Sequence, residues 1–78
     1  MSLKKRSVTL YGHATSVALE PEFWKVIDAH VKDTEQSFAG FVRDQDDLRL
    51  ANKLERNLGS HLRVWALNHI SNQIKLTN

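Results

Sequence analysis

Apolar and polar positions alternate in twos over two short segments near the start of the chain, then change to a helical period for the remainder. In Ala14–Leu19, small or polar residues alternate with Thr15, Val17 and Leu19, the period of a half-buried strand. Residues 6–11 alternate as well, with Val8 and Leu10 on one side. Gly12-His13 between them reads as a tight turn with glycine first. In that register Leu10 faces Thr15 and Val8 faces Val17, so the apolar faces agree. A strand with one buried face cannot leave its ladder groups unpaired. Two pairings stay open: a hairpin within the chain, or Ala14–Leu19 lying against the same segment of a second copy. Two strands alone are not stable in water, so either version needs helices or another subunit beneath its apolar face.

The helical period begins at Pro21. Proline suits the first helical position, and Glu20 and Glu22 favour the positive end of the helix dipole. Phe23, Val26, Ile27, His30 and Val31 make one stripe of a helix over 21–32, with Trp24 at its edge, placed to cover a neighbouring element. Residues 32–36 form a polar turn, and Ser37 caps a second helix that carries Phe38, Phe41, Val42 and Gln45. Gly40 inside it costs about 1 kcal/mol against alanine, a cost that close approach of another backbone, as near a dimer axis, would offset. Asp46-Asp47 either caps a further helix bearing Leu50, Ala51, Leu54 and Leu58, or opens a loop across 46–57. Gly59 then stops that segment, and Ser60 caps a last helix reaching about Gln73. Apolar residues cover more than one face around 64–67, implying burial on two sides, one of them against another subunit.

Composition sharpens this picture. Seventy-eight residues make one small domain, which buries only about 60% of its unfolded surface and is marginally stable alone. The chain has no cysteine, so oligomerisation is the remaining common source of stability. The 41% apolar and 26% charged content is that of a globular domain. No run approaches the ~18 apolar residues of a membrane span, and Met-Ser-Leu-Lys-Lys-Arg lacks the apolar core of a secretion signal. A cytoplasmic protein is expected. The net charge of +2 conceals a polarised chain. Lys4, Lys5 and Arg6 make the start basic, residues 7–47 hold eight acids against three bases, and residues 48–78 hold five bases against one acid. The expected organisation is a basic arm over 1–5 and a single domain over 6–78. A basic arm beside a strand is what a phosphate-binding surface needs.

Catalytic and metal chemistry find no support. His61 and His69 lie about two helical turns apart, too far for a shared zinc ion, and His30 on the core stripe reads as a packed histidine. Asp44, Asp46 and Asp47 lack calcium-loop spacing. Ser16 and Ser60 have no nucleophile-elbow glycines, and there is no glycine loop to cradle phosphate. No enzyme activity, cofactor or metal is expected.

Arg6-Ser7-Val8-Thr9-Leu10, Gly12-His13, Thr15-Ser16, Leu19-Glu20-Pro21-Glu22-Phe23-Trp24 and Asn57-Leu58-Gly59-Ser60-His61-Leu62-Arg63-Val64 together resemble a bacterial branch of the ribbon-helix-helix domain family. These are small dimeric DNA-binding proteins similar to the Arc and methionine repressors. The resemblance spans residues 6–70. It implies a mainly helical fold with an N-terminal β-ribbon, an intertwined homodimer, an added C-terminal helix and a role in transcriptional regulation. Carried onto this chain, it places Thr15, Val17, Leu19, Phe23, Ile27, Phe38, Phe41, Val42 and Trp65 in the dimer core. It turns Ala14, Ser16 and Ala18 toward base edges and sets the start of the second helix, Ser37 and Phe38, on phosphate. Lys4, Lys5, Arg6 and His13 complete the expected DNA contacts.

The chain departs from that pattern at the ribbon. Major-groove readout uses Arg, Lys, Asn or Gln, and two alanines and a serine cannot replace them. DNA affinity would rest on the basic residues and depend steeply on salt. The alternative is a dimeric protein-interaction module on the same fold that has lost base readout.

Overall fold

The computed structural model describes residues 2–77, and the side chains of residues 2–74. Two strands, β1 (Lys4–Leu10) and β2 (His13–Leu19), lead into α1 (Pro21–Thr34), α2 (Phe38–Ala51) and α3 (Leu58–Thr77). The strands pair antiparallel as a two-stranded sheet within the chain. Of the two pairings left open by the sequence, the structure shows the hairpin.

The turn is Tyr11-Gly12 rather than Gly12-His13. Tyr11 has φ +51° and Gly12 φ +81°, the two left-handed positions of a type I′ turn, whose twist matches that of the strands. Val8 therefore lies opposite Thr15, and Arg6 opposite Val17. This register differs by two residues from the expected one. A two-residue shift returns every side chain to its own face, so the apolar face survives the correction. β1 also begins at Lys4, which places Lys4 and Lys5 in the strand instead of in a preceding arm.

Val8, Leu10, Val17 and Leu19 form the inner face, buried on Ile27 of α1, Phe41 and Val42 of α2, and Leu58 and Leu62 of α3. α2 packs under β1 and α3 under β2. Of the residues expected at a dimer core, Val17, Leu19, Ile27, Phe41 and Val42 are thus already buried inside one chain. Phe23, Phe38 and Trp65 pack against that core half-buried, and Thr15 is half-buried in β2. Trp24 is buried and covers β1, its indole N–H donating to the Lys4 carbonyl at 2.7 Å.

The helix ends follow local chemistry. Ser37 Oγ accepts from the Gly40 N–H at 2.9 Å, as a cap should. Within the chain, what crowds Gly40 is this same hydroxyl, 2.9 Å from where a Cβ would stand. α2 runs unbroken through Asp46-Asp47, because Asp46 accepts from the Arg49 guanidinium at 2.8 Å one turn on. It ends where the Leu54 N–H bonds to the Arg49 carbonyl and the Lys53 N–H to that of Leu50, with Lys53 left-handed at φ +53°. The cap of α3 is Asn57, whose Oδ1 accepts from the Ser60 N–H at 2.8 Å. Gly59 lies in the first turn of α3, where a Cβ would stand 3.7 Å from Val17 Cγ1, and neither stops a helix nor leaves Ser60 as a cap.

No heavy atom lies within 4 Å of a Cβ built on Gly12, so a side chain there meets only backbone strain. Gly12→Ala is expected to cost about 1 kcal/mol in urea unfolding, about 4–8 °C in Tm for a domain of this size. Gly12→Asn, which tolerates the left-handed region, should cost less.

Candidate nucleic-acid interface

Strand alternation sorts the expected DNA contacts onto two sides of the hairpin. Lys5, Ser7 and Thr9 of β1 stand opposite Ala18, Ser16 and Ala14 of β2, giving an outer face of small and hydroxyl side chains with a single cation. Ser7 and Ser16 Oγ lie 3.3 Å apart across it. Lys4, Arg6 and His13 share the register of the inner, core-facing side, with Lys4 and His13 exposed at its two ends.

Arg6 does not extend from the ribbon. Its two terminal nitrogens donate to the Asp28 carboxylate at 2.8 Å each. Its guanidinium lies 4.6 Å from the Trp24 ring centroid and 5.3 Å from that of Phe38. The hydrogen bond to Asp28 holds the guanidinium more strongly protonated and keeps the Asp28 carboxyl below the ordinary carboxylate range. A side chain bound at its fork and lying over two aromatic rings tethers β1 to α1 and has little left to offer a phosphate. Phe38, close to Arg6, packs its ring 5.8 Å from Trp24, which puts the start of α2 on the inner side of the sheet. Ser37 and Phe38 thus lie across the sheet from Ala14, Ser16 and Ala18.

Three contacts that local sequence patterns do not reveal hold the hairpin against the helices. Glu20, just before α1, accepts from Arg63 Nε of α3 at 3.0 Å. Hydrogen bonding to its own backbone N–H and to Arg63 keeps its carboxyl below the usual range. Arg63 Nη2 also reaches the Ala18 carbonyl at 3.5 Å. At the hairpin tip the Tyr11 hydroxyl donates to Asp47 of α2 at 2.8 Å, which pushes the phenol pKa up. Asp28 and Glu20 are each neutralised by an arginine and Asp47 is held by the Tyr11 hydroxyl at the tip, whereas Lys4 and Lys5 have no carboxylate within ion-pair distance among the described residues.

His30, His61 and His69 serve packing. His61 is buried, its Nε2–H donating to Gln45 Oε1 at 3.0 Å while Nδ1 faces Arg56 Nη2 at 3.5 Å. His30 makes edge contacts with Phe41, Trp65 and His69. Among the described residues no group of His, Asp and Glu is placed to hold a metal ion, and no helix is long and apolar enough to cross a membrane.

A family model described as a ribbon-helix-helix domain matches residues 3–70. The chain belongs to the ribbon-helix-helix domain family. That family's fold is of DNA-binding regulator type. Among solved structures, an uncharacterized protein from Bordetella pertussis Tohama I is similar, with a TM-score of 0.82 and 31% sequence identity. The match covers 95% of this chain but 60% of that one, so the chain spans less than two thirds of its length. No curated protein matches the chain.

Burial, and then the charges of Arg56 and Arg49, hold His61 below the ordinary histidine pKa; burial and then His69 do the same for His30. The unfolded chain therefore binds protons that the fold refuses. Stability should be full above about pH 6.5 and decline as pH falls below it, while the contributions of Asp28 and Glu20 are lost only lower, in the carboxylate range. Urea midpoints measured from pH 7 to pH 5 should fall, and His61→Gln should flatten part of that fall.

Proposed function

We propose that the chain acts as a homodimer that binds DNA, gripping the phosphodiester backbone and taking part in transcriptional regulation in the bacterial cytoplasm. The observation that carries this reading is the charge arrangement at the hairpin. The outer face presents Lys5, hydroxyls and no acid; Asp28 and Glu20 beside the strands are tied to Arg6 and Arg63, and Asp47 lies at the Tyr11 tip, the end of the hairpin opposite Lys4 and Lys5. Lys4 and Lys5 then have no ion-pair partner among the described residues, and family membership supports DNA as the ligand. Base readout plays little part. Ala14 and Ala18 offer contact with a thymine methyl at most, and Ser16 and Ser7 one short hydroxyl each. Binding is then weakly selective and governed by counterion release.

A second reading keeps the dimer and makes the ligand a protein. Leu67 and Ile74 are more than half exposed and Ile70 is 38% exposed. At helical spacing they form an apolar stripe along α3.

Titration of a fluorescent duplex at increasing salt separates the two. DNA binding predicts a steep loss of affinity with salt, and Lys4→Gln with Lys5→Gln should lower the logarithmic slope by about 0.9 for each phosphate contact removed. No binding at low salt by an intact dimer contradicts the first reading and favours the second.

A further inference from the structure

The hairpin has two outward edges, and the edge of β1 runs from a basic end to an acidic one. The residues flanking a two-residue hairpin loop exchange both backbone hydrogen bonds, and bonded pairs alternate from there. Leu10 with His13, Val8 with Thr15 and Arg6 with Val17 are therefore the bonded pairs. The N–H and C=O groups of Lys5, Ser7 and Thr9 point the other way, off the free side of β1. All three residues are exposed, and their backbone groups have no hydrogen-bond partner among the described residues. Such an edge is a template for another strand. Lys4 and Lys5 open it, and at the tip Asp47 holds the Tyr11 hydroxyl. Arg43, also close to Tyr11, is paired with Asp44 at 3.8 Å. Leu3, 49% exposed, and Tyr11, 69% exposed, flank the two ends.

We infer that a second copy of β1 occupies this edge antiparallel, with Ser7 opposite Ser7 on a two-fold axis. The contact leaves the edge of β2 untouched, so it neither needs nor replaces the homodimer of the proposed function. The strand is complementary to itself. Centring on Ser7 sets Lys5 against Thr9 in both directions, so all three residues find a donor and an acceptor in the other copy. The same register carries Leu3 to the other copy's Tyr11 at both ends, covering two exposed apolar side chains. Lys4 and Lys5 of each copy approach the acidic tip of the other, whereas a parallel pairing would set like charges side by side. Lysine on an edge strand ordinarily guards against pairing. Here Lys5 meets a threonine, and the guard does not act.

One strand from each side makes a small contact, in the range of transient interfaces. Its consequence depends on what else the chain does. A homodimer carries two such edges, and the contact then links dimers into an open row. A lone chain carries one edge and closes as a pair.

Sedimentation of the intact chain at low salt and rising concentration reads this contact. The mass should climb past that of the smallest species: from dimer to tetramer and beyond where the homodimer stands, from monomer to dimer where it does not. Ser7→Pro removes one outward N–H and spares the bonds to β2, so it should hold the protein at its smallest species. Circular dichroism checks that this variant keeps the fold. The chain has no cysteine, so single substitutions add a covalent reading. Facing Cα atoms of a bonded pair lie about 5.5 Å apart, within disulfide range. Ser7→Cys should crosslink under mild oxidation, and Lys5→Cys should crosslink with Thr9→Cys rather than with itself. A constant mass, a Ser7→Cys chain that stays uncrosslinked, or association that survives Ser7→Pro each overturns the proposal. Failure of the homodimer shows separately, as a monomer in Ser7→Pro.

Discussion

The backbone pairing of β1 with β2 through the Tyr11-Gly12 turn is the constraint on which the other features depend. It sets Val8, Leu10, Val17 and Leu19 on one side, where three helices bury them. It also satisfies one edge of β2 inside the chain, so folding does not require a partner strand as a matter of hydrogen-bond accounting. The consequence for function is a separation of roles. The inner edge and face of β2 build the domain, and the outer edge and face remain for contacts beyond it.

Arginine links that hairpin to the helices. Arg6 is enclosed by Asp28, Trp24 and Phe38, and Arg63 ties Glu20 and the end of β2 to α3. An exposed ion pair contributes at most about 1 kcal/mol, and a guanidinium over an aromatic ring about as much again. Their larger effect is electrostatic. Each removes one charge of either sign from the neighbourhood of the sheet, which leaves Lys4 and Lys5 at the end of the hairpin opposite Asp47. The outer face carries small side chains, hydroxyls and the single cation Lys5, which is the basis of the proposed contact with a phosphate backbone.

Much of this was legible in the chain. The alternation of Thr15, Val17 and Leu19, the proline opening α1 and the Ser37 cap are local signals, and the structure agrees with each. The turn was not legible, because a two-residue shift leaves the apolar pattern of Val8 and Leu10 unchanged and only backbone dihedrals distinguish the registers. Asp46-Asp47 has the look of a helix cap, but Asp46 is held within α2 by Arg49 one turn away. Asn57 is hard to recognise as a cap because Gly59 and Ser60 carry the more familiar stop-and-start pattern. Arg6 reads as part of a basic arm since its partner Asp28 is 22 residues distant, and no local rule joins them. Around 64–67 the chain buries Ala66 and leaves Leu67 60% exposed, so only one of the two sides expected to be buried is covered within the chain.

The most direct test of this account is which chain provides the mate of β2. Ser7 and Ser16 are a non-bonded pair, whose Cα atoms lie about 4.5 Å apart, so their Hα protons give a strong nuclear Overhauser contact. In a sample mixing isotope-labelled and unlabelled chains, that contact should appear within labelled chains and vanish from the spectrum filtered for contacts between chains. Its appearance only between chains would show that the hairpin is not formed, and the account built on it would fail.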